Sequence, residues 1–167
     1  LDNYQRCWGM RISPLESETL WECMQDFQER MERFNTNCTV VAEFLSGHLA
    51  VDLVYHPSLS SHSSYATAKK LLSGNGGVVS FTLKDESENA LKKFYDREFS
   101  SMIKAPSIGS NQTLICPYTL LTNYFYTDEE LKEIKLPRHL IRISAGCETE
   151  IDGILDDLDL ALKRTIQ

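Results

Sequence analysis

The sequence predicts an α/β fold: a two-layer sandwich whose mixed or antiparallel sheet carries helices on one face and is preceded by one long helix. Three observations predict it. Apolar residues recur at steps of three and four over two segments, 17–48 and 148–164. Two runs, 78–83 and 140–145, alternate apolar with polar side chains, the period of a half-buried strand. Helical and strand segments take turns along the chain through short connections, with no internal repeat and no linker between them.

Taken in order, the spacing predicts a single helix from Ser17 to His48. Leu20, Met24, Phe27, Met31, Phe34, Cys38, Val41 and Leu45 share one face of it, and Glu22, Glu29, Arg30, Arg33 and Glu43 the other. Pro14 precedes its start and Gly47 stands where a C-cap is expected. At about 1.5 Å per residue such a helix is roughly 45 Å long. That exceeds the width of a small domain, so its N-terminal part is expected to pack on something outside this one. Val51 to Tyr55 reads as a strand stopped by His56-Pro57. A helix capped from Ser60–Ser64 should run through Leu72 and end at Gly74-Asn75-Gly76-Gly77. In the strand from Val78 to Leu83, Val79, Phe81 and Leu83 point one way. A helix is expected over 86–95, a short strand near Phe99 to Ile103, and a loop from Lys104 to Tyr118. Thr127-Asp128-Glu129-Glu130 opens a helix that stops before Pro137. Leu140 to Ala145 is a strand with Ile141, Ile143 and Ala145 on one face and Arg142 and Ser144 on the other. The last helix, 148–164, carries Ile151, Ile154, Leu155, Leu158 and Leu162 on its stripe, acids early and Lys163 and Arg164 late, as the helix dipole favours.

Composition excludes several functions. The formal charge is −7 and the 17 basic residues are scattered, so the basic stripe needed to neutralise phosphates is missing and no nucleic-acid partner is expected. No apolar run reaches the roughly 18–20 residues of a membrane span, and no membrane association is expected. Leu1-Asp2-Asn3-Tyr4-Gln5-Arg6 has neither a basic nor an apolar leader pattern and lacks Met, so the chain is expected to begin part-way through a longer protein. The cysteines, Cys7, Cys23, Cys38, Cys116 and Cys147, are odd in number and widely spaced. Neither a disulfide framework nor a zinc site follows from them, and free thiols in a reducing, cytoplasmic compartment are expected. No metal ligand set is expected: His48, His56, His62 and His139 lack ligand spacing. The Asn-x-Thr triplets at Asn37 and Asn111 read as silent.

Few residues stand out chemically. Arg142 projects from a strand whose other face is apolar, so it sits on the side of the sheet away from the helices. A guanidinium there offers a rigidly held fork for a carboxylate, against the plainer reading of a surface arginine with an acidic neighbour. The loop 105–113 is small and polar enough for close approach to a ligand, against an ordinary turn-rich connection. Ser101-Met102-Ile103-Lys104 matches a Ser-x-x-Lys pattern without its companion motifs, and is coincidental. Gly74-Asn75-Gly76-Gly77 precedes a strand rather than a helix, so it reads as a turn and not a phosphate loop.

Six blocks in order carry a resemblance. They are Arg-Met-Glu-Arg-Phe-Asn (30–35), Val-x-x-Val-Tyr-His-Pro (51–57), Ser-His-x-x-Tyr-x-x-Ala-Lys-Lys (61–70), Gly-Asn-Gly-Gly-Val-Val-Ser-Phe-Thr-Leu (74–83), Ala-Pro-Ser-Ile-Gly (105–109) and Leu-Ile-Arg-Ile-Ser-Ala-Gly-Cys-Glu (140–148). Together they resemble the C-terminal domain of the cystathionine γ-synthase, γ-lyase and β-lyase family from about Met31 to the end. Ala-Pro-Ser-x-Gly-Ser-Asn-x-Thr-Leu-x-Cys-Pro-Tyr is similar to the fungal γ-synthase-like branch. The resemblance implies the small C-terminal domain of a fold-type I enzyme that uses pyridoxal 5'-phosphate. It implies that residues 1–48 connect to a cofactor-binding N-terminal domain outside this chain, and that 49–167 form the substrate-binding domain. The Schiff-base lysine would lie in that other domain, leaving no catalytic residue here, since no lysine of this chain, Lys104 included, sits in a matching context. By the same resemblance Arg142 would hold the substrate α-carboxylate, and Ser107 would line the pocket near the cofactor lysine. The expected reaction is γ-replacement joining cysteine to an acyl-homoserine in a homo-oligomer. The alternatives are γ- or β-elimination from cystathionine, and a non-catalytic amino-acid-binding or interaction module. The chain departs from the family pattern at Pro106, where Glu is usual, at Ser110-Asn111-Gln112-Thr113-Leu114 in place of Gly-x-Glu-Ser-Leu, and over residues 1 to 30, which lack the usual Arg-Gly-x-x-Thr segment.

Overall fold

The computed structural model describes residues 7–9 and 12–166. They fall into two compact units, 1–30 and 31–167.

The first unit contains helix α1 (Pro14–Met24). Ser13 caps it and Glu16 returns the bond to the Ser13 amide, a reciprocal cap ahead of a proline already set to helical φ. The next helix, α2, spans Phe27–Gly47. The single helix predicted over 17–48 is therefore interrupted at Gln25 and Asp26. The Arg30 guanidinium takes the Cys23 carbonyl at 2.6 Å and Asp26 Oδ1 at 3.0 Å, placing a side chain in the helical ladder at the interruption. Leu20, Met24 and Phe27 remain exposed, whereas Phe34, Cys38, Val41 and Leu45 further along the same predicted face are buried.

In the second unit a five-stranded sheet runs β1-β2-β5-β4-β3, from β1 (Val51–Tyr55), β2 (Val78–Leu83), β3 (Ile103–Lys104), β4 (Leu114–Pro117) and β5 (Ile141–Ser144). All neighbours are antiparallel except β3 and β4. The helices are α3 (Tyr65–Leu71), α4 (Glu88–Tyr95), α5 (Tyr118–Thr122), α6 (Asp128–Glu133) and α7 (Asp152–Lys163). Register brings Val79 opposite Ile143 and Phe81 opposite Ile141, so the alternating residues of β2 and β5 merge into one apolar face. Cys38, Val41 and Leu45 of α2, Leu91 and Phe94 of α4, and Ile154, Leu158 and Leu162 of α7 cover that face in one core. Phe81 and Phe94 meet edge-on with ring centroids 5.7 Å apart. Each fully buried Leu, Ile or Phe contributes about 1.5–3 kcal/mol, so the periodic apolar positions explain why these segments pack as they do.

Two expectations fail along 99–118. The short strand lies at Ile103–Lys104 rather than near Phe99 to Ile103, and the stretch read as a loop from Lys104 to Tyr118 contains strand β4. Leu114, Ile115 and Cys116 are all buried, so this strand shows no alternation, and a central position between β3 and β5 is what makes it one. Elsewhere the caps are local. Ser87 caps α4, and Thr127 with Glu130 forms the reciprocal cap of α6. Ser64 precedes α3 without a side-chain cap. The one buried carboxylate in α7, Asp157, accepts Arg97 Nη2 at 3.5 Å and the Ser101 amide at 2.7 Å, fixing the turn before β3.

Candidate functional site

Arg142 lies in β5 between Ser80 of β2 and Cys116 of β4, on the face turned away from α2, α4 and α7. Its flanking residues Ile141 and Ile143 are wholly buried in the core, so the strand cannot twist to aim the arginine elsewhere. The side chain is partly buried. Nη2 donates to the Pro106 carbonyl and, at 2.9 Å, to the Ser107 carbonyl. Cζ stands 5.1 Å from the centroid of the Tyr118 ring. The Cys116 thiol is also adjacent: burial pushes its pKa up, and the Arg142 guanidinium pulls the other way.

All of these partners are uncharged. Arg30, Arg97 and Arg138 each pair with an aspartate, at 3.0, 3.5 and 2.9 Å. Among the described residues no carboxylate pairs with Arg142. A partly desolvated guanidinium without an internal counter-charge keeps its attraction for an external anion, and its planar fork matches a carboxylate. The two residues singled out in the sequence are thus in contact, and it is the Ser107 carbonyl that touches Arg142.

The loop that presents these carbonyls is tied down from behind. Gly109, at φ +73°, donates its amide to Ser144 Oγ at 3.3 Å. Thr113, wholly buried, donates its amide and hydroxyl to the two oxygens of Glu148 at 2.5 and 3.0 Å. The Thr113 hydroxyl accepts from the Gly146 amide at 2.9 Å, and the Cys147 amide donates to Asn111 O at 2.8 Å. Asn37 of α2 completes the tie by donating to the carbonyls of Gly146 and Glu148, both at 3.0 Å. Gly146 is where the segments touch: a Cβ there would stand 2.5 Å from Asn111 O and 2.6 Å from Thr113 N.

Sequence reasoning missed Tyr118, Cys116, Glu148 and Asn37 as parts of this arrangement. A signal existed for two of them. Cys116 and Tyr118 are two residues apart, the strand period, and both border Arg142; treating 104–118 as a loop concealed it.

The residues described do not form a cradle for a phosphorylated ring cofactor. The Gly76 amide is committed to Asn35 Oδ1 at 2.6 Å, so the glycine-rich turn clamps α2 and has that donor spent. The Lys104 ammonium lies 4.7 Å from the Tyr95 ring centroid and 5.7 Å from that of Phe99, on neighbours unrelated to Arg142. A cavity of about 410 Å³ lined by Leu83, Leu91, Leu131, Pro137 and His139 does not include Arg142 or Ser107. No helix among the described residues is long and apolar enough to cross a membrane, and no cluster of His, Cys, Asp or Glu among them could hold a metal ion.

Comparison with known proteins places these features in context. The model of the Cys/Met metabolism PLP-dependent enzyme family matches residues 1–163. A cystathionine beta-lyase of Lactococcus lactis subsp. cremoris is 35% identical over 160 residues, covering 96% of this chain and 41% of that protein. An L-methionine gamma-lyase of Porphyromonas gingivalis is 34% identical over 158 residues, with coverages of 95% and 39%. Among solved structures, a cystathionine gamma synthase of Xanthomonas oryzae pv. oryzae in complex with aminoacrylate and cysteine superposes with a TM-score of 0.85 at 28% identity, covering 96% of this chain and 41% of the other. The chain therefore spans about two fifths of the length of the relatives it matches.

Proposed function

Since this chain belongs to the Cys/Met metabolism PLP-dependent enzyme family, we propose that it is the substrate-carboxylate-binding part of a cystathionine γ-synthase-type enzyme, with Arg142 as the anchor. The observation that carries the reading is the guanidinium itself: strand-mounted, held by two carbonyls and a ring, and paired with no carboxylate among the described residues. The family's cofactor, pyridoxal phosphate, supplies an electron sink for charge developing at the substrate Cα. Residues outside this chain would hold it and supply the Schiff-base lysine. Within the chain, residues 1–48 would connect to that cofactor domain, and 49–167 would bind substrate. Arg142 grips the α-carboxylate and so fixes rotation about the substrate's Cα, which determines the bond presented to the reacting centre. Ser107 lines the same pocket towards the cofactor end, and the Glu148–Thr113–Asn37 ties hold it there. The whole protein, a cytoplasmic homo-oligomer in this reading, would join cysteine to an acyl-homoserine by γ-replacement.

A second reading is elimination from cystathionine, favoured by the cystathionine beta-lyase relative at 35% identity, while the L-methionine gamma-lyase at 34% favours elimination only as a class of reaction. The full-length protein decides between them. Cystathionine formed from cysteine and an acyl-homoserine supports the first; release of an α-keto acid from cystathionine alone supports the second. A full-length protein that never takes up pyridoxal phosphate would refute both.

A further inference from the structure

Arg142 is oriented by a residue that the family resemblance does not single out. A carboxylate receives two parallel N–H bonds only when it lies in the plane of the guanidinium, so the orientation of that plane decides how well the fork works. The two loop carbonyls accept from Nη2 within the guanidinium plane, so they act on its edge and not on its face. The Tyr118 ring acts on the face and so braces the plane from the side the carbonyls do not reach: the guanidinium carbon lies 5.1 Å from the ring centroid, inside the range in which a cation is drawn to an aromatic face. The backbone that carries the ring is placed by its position, because β4 ends at Pro117 and α5 begins at Tyr118, and the Tyr118 carbonyl accepts the Thr122 hydroxyl at 2.9 Å. An acidic residue in its place would also orient the arginine, but would neutralise it. A ring orients the cation and leaves its charge for the ligand.

We propose that Tyr118 is a positioning residue that sets the plane of the Arg142 fork for an amino-acid carboxylate. The proposal rests on the carboxylate-anchor reading of Arg142. It makes Tyr118 act through Arg142 and only on ligands with an ionised carboxylate.

The test uses the full-length protein carrying its cofactor and two ligands without a leaving group, L-alanine and L-alaninamide, with affinities measured by calorimetry. Tyr118→Leu should weaken L-alanine about fivefold, the loss of an aromatic–cation contact at a partly solvated site, and leave L-alaninamide within twofold. Tyr118→Phe should match the parent, because the ring face and not the hydroxyl contacts the cation. In an Arg142→Ala background, Tyr118→Leu should have no further effect on L-alanine. Should Tyr118→Leu fold poorly, Tyr118→Gln gives the same comparison. Equal weakening of both ligands would mean a merely structural tyrosine and would overturn the proposal, as would unchanged affinity for both. In either case loss of L-alanine binding in Arg142→Ala leaves the anchor reading standing. Unchanged L-alanine binding in Arg142→Ala overturns that reading and this proposal with it.

Discussion

Gly146→Ala isolates how the carbonyl-bearing loop is held. Its φ lies outside the left-handed region, so alanine meets no backbone strain and the effect is steric alone. The new methyl would stand 2.5–2.6 Å from backbone atoms of Asn111, Gln112 and Thr113, where ordinary contact is about 3.5–4.0 Å. The two segments must part by roughly 1 Å. Four hydrogen bonds of 2.5–3.0 Å resist that parting: two from Thr113 to Glu148, one from Cys147 to Asn111 and one from Gly146 to Thr113. A bond of 2.8 Å stretched by that amount ceases to be one. Overpacking of this kind costs about 1–3 kcal/mol, which corresponds to a rise of about 5- to 150-fold in local opening. Amide hydrogen exchange followed by mass spectrometry on the full-length protein reads it directly. Segment 105–117 should exchange faster by that factor, while α7 should not change. Exchange in 105–117 within twofold of the parent would refute the steric argument.

Three other outcomes are expected. Arg142→Ala should weaken substrate binding by about 2–5 kcal/mol, the loss of one partner of a desolvated charge pair, and Arg142→Lys should also be poor because a point charge does not reproduce a fork; near-parent steady-state kinetics in either variant would remove the role assigned to it. Burial holds the pKa of His56 below 6.5, so its contribution to stability is complete above about pH 6.5 and declines as pH falls, because the unfolded chain takes up a proton that the folded chain resists. His56→Gln should flatten the decline of thermal stability on acidification below that pH, and an unchanged slope would discount the histidine. Burial pushes the Cys38 thiol up to about 12, so alkylation of the native protein near neutral pH should spare Cys38 until the protein unfolds, and mass spectrometry finding it modified in the folded protein would refute the point.

The periodic elements were legible from residues alone. Val78–Leu83 and the stripe of Ile154, Leu158 and Leu162 lie as their spacing predicts, because alternation and three-four steps reflect which side of each element is buried, although the last helix begins at Asp152 and not at 148. β4 was not legible. Leu-Ile-Cys-Pro, buried throughout, carries no period, and its strand character comes from pairing with β5. The interruption at Gln25–Asp26 was hidden for the opposite reason: the apolar pattern continues across it while a local arginine contact intervenes in the ladder.

The sequence by itself determined the fold class, the face on which Arg142 stands and the family to which its motifs point, since these depend on residue order and period. Only the tertiary structure decided that Arg142 meets the Ser107 carbonyl 35 positions away, that Tyr118 underlies it and that no described carboxylate cancels it. Such contacts depend on strand register and loop closure between distant segments, and neither quantity is carried by local sequence spacing.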